Sequence, residues 1–236
     1  AWCVASALVC LAAPCPPATF LALTGVCLIG VYQHPLRVML SLTLPQCVSV
    51  LVRGAFVIGG SGMVLAFHFL LTLAGATSLP RWLAIAGVPL AAMTAIYTGY
   101  LFAQAKARDL WQNPLLPPHL LVQSLLAGAA ALMPIAAWLE PRSIVPLGLV
   151  LAAAAAVHLL MVAGEVTLTH PTAHARLAAH EMTGGHYARF FWPGVALVAL
   201  ALAAPLLGIL AAPLALAGLL AHEHAYVQAG QSVPLA

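Results

Sequence analysis

The chain has 236 residues, of which 64% are hydrophobic and 6% charged, and its mean hydropathy is +1.05. A soluble domain of that size needs a charged surface, so this composition places the chain in a lipid bilayer as an all-α integral membrane protein. The net charge of +3, carried by eight scattered basic residues among the five acidic ones, excludes a nucleic-acid-binding surface.

In chain order, the opening run 1–13 is apolar, short and without a basic leader, and reads as part of a helix that starts upstream. Apolar runs bounded by Pro, Gly and charges then predict spans near 17–33, 48–75, 82–105, 118–139, 143–168, 189–210 and 212–230. Together they predict about eight transmembrane helices, the first incomplete. Connections are short except 169–188, so the whole of 1–236 reads as one transmembrane domain in a single bundle. The five cysteines (Cys3, Cys10, Cys15, Cys27 and Cys47) form no Cys-x-x-Cys pair and read as small apolar residues. Within 169–188, an amphipathic interfacial helix is expected near 172–182, ended by Gly184–Gly185.

The basic residues orient the bundle. With the loop near Pro14–Pro17 outside, Arg37, Arg53, Lys106, Arg108, Arg176 and Arg189 lie on the cytoplasmic side, and Arg81 and Arg142 lie outside. The positive-inside rule then puts both termini in the cytoplasm.

Polar groups inside hydrocarbon are costly and mark candidate sites. In 82–105, Thr94, Tyr97 and Gln104 are spaced to share one helical face, and Tyr97 lies roughly 13 Å from Lys106 along the axis. Its hydroxyl is either satisfied by a neighbouring helix or offered to a ligand. In 143–168, His158 and Glu165 are seven apart and share a face. Near the C-terminus "AHEHAYVQAGQ" packs His222, Glu223, His224, Tyr226 and Gln228 into two turns. These groups suit proton relay or hydrogen bonding to a polar headgroup, or, for Glu223 and its neighbouring histidines, solvation at a helix end, and Arg53 either snorkels to the interface or pairs with Glu165 or Glu223. In 48–75, Gly54, Ser61 and His68 form a stripe of seven-residue spacing. His68 with His158 raises the alternative of a haem b held between two helices; a secondary transporter using the same polar positions is another. The histidines of the long loop (His170, His174, His180 and His186) have irregular spacing and no clear third ligand, so no metal site is expected. There is no phosphate-binding glycine loop, no Ser/His/Asp setting and no four-cysteine cluster, so any electron carriers must sit in a partner.

The stretch "YTGYLFAQAKARDLWQNPLLPPHLLVQSLLAGAA" resembles the signature of the NrfD-like membrane subunits, the family that includes the membrane subunit of polysulfide reductase. "HPLRVMLSL" with "VRGAFVI", "HEMTGGHYARFFWPG" and "EHAYVQAGQSVPLA" add to the similarity, which runs from about residue 34 to the C-terminus. The resemblance implies a haem-free bundle, without metal of its own, in a bacterial inner (cytoplasmic) membrane. It implies binding of menaquinone or ubiquinone and electron exchange with an iron–sulfur subunit joined to a molybdopterin-type or cytochrome-linked subunit. By the same resemblance Tyr97 matches a tyrosine that contacts the quinone; Thr94 and Gln104, on its helical face, then read as possible lining, and the intramembrane polar groups Glu165, His158, Glu223, His222 and Arg53 as a candidate proton pathway. Two features depart from the family pattern: "VYQHPLR" lacks the acidic turn of relatives, and their polar residues early in the first helix are missing here.

Overall fold

A computed structural model of the protein describes residues 50–76, 78–105 and 107–234. The spans expected at 1–13 and 17–33, the five cysteines and Arg37 lie outside the described residues. The rest is helical, with no strand among the described residues. The helices are α1 (Val50–Leu73), α2 (Ser78–Phe102), α3 (Leu116–Leu139), α4 (Ile144–Thr167), α5 (Ala173–Thr183), α6 (Ala188–Leu200) and α7 (Ala211–Ser232). All but α5 match expected spans, so six of the eight fall on described helices. Arg53–Leu73, Trp82–Phe102, Leu116–Leu139, Pro141–Thr167 and Ala188–Ser232 are long and apolar enough to cross a membrane. The last runs 45 residues and holds both α6 and α7.

That last stretch folds back on itself. After α6 the chain passes through 3-10 turns and a single α turn, Ala204–Leu207, and reverses at Gly208, whose φ of +56° favours glycine. α6 and α7 then pack along their length, and small residues set how closely. A Cβ on Gly194 would meet the His222 amide nitrogen at 2.8 Å and the Gly218 carbonyl at 2.9 Å. Backbones in a membrane approach this closely only where side chains are missing.

The helices pack in an order that fixes the site: α1 on α2, α2 on α3, α3 on α4, and α7 on α3. The core is built largely of alanine, with Ala129, Ala130, Ala155 and Ala215 fully buried around Leu126, Met133 and Leu151. Large side chains such as Trp138, Leu160, Leu206 and Leu220 point outward, as a lipid-facing surface requires. A second cluster, of Phe191, Met182, Trp111 and Tyr226, seals the end of the bundle where α2, α4 and α7 terminate. α5 lies there, with Thr172 capping its first turn by accepting from the Ala175 amide at 3.1 Å and Gly184 ending it. This is the interfacial helix expected in the long loop.

In the α2–α3 connection Trp111 is buried edge-on against Phe102 (5.1 Å between ring centres) and fills the space over Gly230. The cause lies in Arg108, whose Nη1 donates to the carbonyls of Gly230 (3.2 Å), Gln231 (2.8 Å) and Val233 (2.9 Å) at the end of α7. Those carbonyls lack intrahelical partners, and a guanidinium satisfies them while complementing the helix dipole. The loop is thereby pulled onto α7, and Tyr226 Oη closes the junction by donating to the Leu110 carbonyl at 2.9 Å.

Candidate functional site

Three histidines from three helices meet inside the bundle. His119 (α3), His158 (α4) and His222 (α7) are each at most 1% exposed, so water does not compensate their polar atoms. One ring nitrogen from each lies within 4.8 Å of the others, and the ring centres of His158 are 4.8 Å from His119 and 4.9 Å from His222. His119 is the hinge of the group. Its Nδ1 pairs with Glu165 Oε1 at 2.9 Å, and its Nε2 with His158 Nδ1 at 2.8 Å. With Glu165 ionised, the His119 Nδ1–H donates to the carboxylate, so neutral His119 accepts at Nε2 from the His158 Nδ1–H. A continuous hydrogen-bonded line thus runs from Glu165 through His119 to His158. Among the described residues His158 Nε2, Glu165 Oε2 and both ring nitrogens of His222 have no hydrogen-bond partner.

Local sequence explains the convergence. Pro117 and Pro118 start α3 and put His119 in its first turn. His158 and Glu165, two turns apart on α4, present one face to it. His222 arrives through the Gly194–Gly218 crossing. Glu223, half-buried beside it, interacts with Gln123, His119 and Glu165. Glu165 also lines a cavity of about 520 Å³, with Asp109, Asn113, His170 and Thr172, between the α2–α3 and α4–α5 loops. The cluster therefore touches a solvent-sized space at the loop end through a carboxylate.

A second pocket, of about 380 Å³, lies between α1 and α2 and is lined by Arg53, Gly54, Met93, Ile96, Tyr97 and Tyr100. The Tyr97 ring occupies the space that a Cβ at Gly54 would fill, so the glycine lets the phenol lie flat on α1. The two sites share a depth. α2 and α3 run antiparallel and touch where a Cβ on Gly99 would meet Pro117 Cα at 2.8 Å; Tyr97 and His119 each lie two residues further in.

Several expected residues sit elsewhere. Thr94 is not in the Tyr97 pocket: its hydroxyl donates to the Leu90 carbonyl at 2.8 Å and accepts from Ser61 at 3.1 Å, a link between α1 and α2. Gln104 leaves the expected stripe because α2 ends at Phe102, and it is exposed in the turn beyond. Arg53 does not join Glu165 or Glu223; it borders the Tyr97 pocket. His68, weighed as a haem ligand with His158, hydrogen-bonds Thr72 on its own helix, whereas His158 belongs to the α3–α4–α7 cluster. His158, Glu165, His222 and Glu223 do come together. Sequence reasoning missed His119 and Gln123. Their sequence signal is the four-residue spacing on a helix that begins with two prolines.

The profile of the family "Polysulphide reductase, NrfD" matches residues 5–233. The chain belongs to the NrfD family. This NrfD protein is an integral membrane protein of the polysulfide reductase type. Neither the comparison with curated proteins nor that with solved structures returned a match.

Proposed function

We propose that this NrfD protein is the quinone-reactive membrane subunit of a multisubunit oxidoreductase in a bacterial inner membrane. It exchanges electrons with an iron–sulfur subunit that is joined to a molybdopterin-type or cytochrome-linked partner. The observation that carries this reading is the Tyr97 pocket. Its walls are mostly apolar, its size suits a ring headgroup, and its polar groups are the phenols of Tyr97 and Tyr100 and the Arg53 guanidinium. Menaquinone or ubiquinone fits such a site because the ring needs apolar walls and each carbonyl needs one donor. When bound, the quinone supplies a couple of two electrons and two protons.

The chain's own residues hold and orient. The Tyr97 hydroxyl donates to a ring oxygen, Gly54 sets the tilt of the phenol, and Arg53 favours negative charge near the pocket mouth. Proton exchange falls to Glu165, His119, His158, His222 and Glu223. The hydrogen-bonded line of Glu165, His119 and His158 reaches the loop-end cavity at Glu165 and lies at the depth of Tyr97, with His222 and Glu223 beside it. Thr94 supports the reading indirectly, by tying α1 to α2 behind the pocket.

Replacing Tyr97 by Phe tests the assignment. Loss of one neutral hydrogen bond is expected to lower quinol-linked turnover by about tenfold, while the subunits still co-purify. Unchanged turnover in a fully assembled Tyr97→Phe complex removes the pocket from consideration.

A further inference from the structure

The three-histidine cluster has chemistry that proton transfer does not exhaust. A buried imidazole with neither nitrogen satisfied is costly, and His222 is in that position among the described residues. One ring nitrogen of each of its two histidine neighbours lies close by, and the three nitrogens are within 4.8 Å of one another. His119 is held from behind by Glu165, the carboxylate–histidine arrangement that fixes the tautomer and ring orientation of a metal ligand. Glu165 and Glu223 place two carboxyl groups close by, which favours a cation at the centre. The cavity at Glu165 is an entry path from the loop end.

We propose that His119, His158 and His222, with Glu165 orienting His119, form a binding site for a tetrahedral transition cation of the zinc class. Three imidazoles suit zinc, and a fourth position stays open for water or a further ligand. The histidines of the 169–188 loop take no part; the ligands come from helices far apart in sequence. The metal site stands independently of the quinone reading, and only its effect on proton transfer rests on it.

Occupancy is exclusive of the histidine hydrogen bond. Nitrogens bound to one tetrahedral zinc at ~2.0–2.1 Å stand about 3.3 Å apart, whereas His119 Nε2 and His158 Nδ1 are 2.8 Å apart. With zinc bound, the His158 proton would reside on Nε2 and not Nδ1, His119 and His158 would separate by about half an ångström, and His222, whose nitrogen lies within 4.8 Å of theirs, would close on them. A zinc ion here therefore interrupts the line from Glu165 to His158, giving divalent cations control over proton transfer.

The test reads metal and not turnover. The full chain, purified with the subunits that accompany it, is equilibrated with buffered free zinc and desalted. Zinc per complex is measured by mass spectrometry, and the ligand shell is read by X-ray absorption at the zinc edge. The wild type should retain a zinc ion that His222→Ala and His158→Ala lack, with an imidazole-rich shell, and Glu165→Gln should bind it about 10–100-fold more weakly. Equal zinc in wild type and His222→Ala overturns the proposal. Should those variants fail to assemble, the wild-type shell decides alone: zinc absent, or zinc without three imidazole nitrogens, overturns it as well.

Discussion

At the scale of single residues, Glu165 carries the heaviest burden. A carboxylate 3% exposed in an apolar bundle depends on its partner, and His119 is that partner at 2.9 Å. Glu165→Gln keeps the shape and removes the charge that orients His119. Proton-coupled quinol turnover is expected to fall by on the order of 10²-fold, measured as proton release or uptake per electron in vesicles; an undiminished rate would place the proton path elsewhere. Gly54 is the matching test in the other pocket. In Gly54→Ala the new methyl occupies the place of the Tyr97 ring, so the phenol must tilt away. The expected result is a several-fold rise in the quinol KM with less change in kcat, since ring placement and not chemistry is altered.

At the scale of elements, two junctions hold the sites in place. Gly218→Val would put a Cβ 2.9 Å from the Gly194 carbonyl and the Leu197 and Val198 side chains, forcing α6 and α7 apart. Such overpacking costs about 1–3 kcal/mol, and because His222 rides on that crossing, thermal stability and proton-coupled turnover should fall together. Arg108→Ala leaves three carbonyls at the end of α7 without their cation, at a cost of about 1–3 kcal/mol; a lowered Tm of the purified protein checks it. Arg108 also shows what the sequence could and could not reveal. It reads as one more cytoplasmic charge because orientation depends only on which loop carries it, whereas its use as a clamp depends on residues 122 or more positions later folding back onto it. The helices were legible for the opposite reason: hydrocarbon allows little else, and Pro and Gly mark the breaks. α5 was legible from Thr172 and Gly184, which act locally. Grouping His158 with Glu165 needed only one helix face. Assigning His119 to them needed the α3–α4 packing, and apolar helices that are hydrophobic on every side carry no pattern saying which faces meet. The same blindness misplaced Thr94, whose hydroxyl serves helix contact, and Gln104, whose helix stops two residues earlier.

At the scale of the whole molecule, the bundle has a polar end. Arg53, Arg108, the 520 Å³ cavity, α5 and the C-terminus of α7 all lie where α2 ends and α3 begins. The positive-inside rule predicts that this end faces the cytoplasm. A cysteine placed at Ser232, in a chain with its five native cysteines replaced, should react with a membrane-impermeant maleimide in inverted vesicles and not in intact cells. Labelling in cells instead would reverse the bundle and turn the cavity at Glu165 toward the opposite compartment.

The order in which the histidines leave the ribosome follows from the same architecture. His119 and His158 are synthesised and inserted well before His222, and Arg108 waits as long for the carbonyls of Gly230 and Val233. Until α7 turns back at Gly208 and inserts, the interior carries a half-built polar cluster in hydrocarbon and an unanchored loop. Insertion of α7 completes both at one stroke, so a nascent chain that stalls before that point has neither the third histidine of the cluster nor the carbonyls that Arg108 clamps.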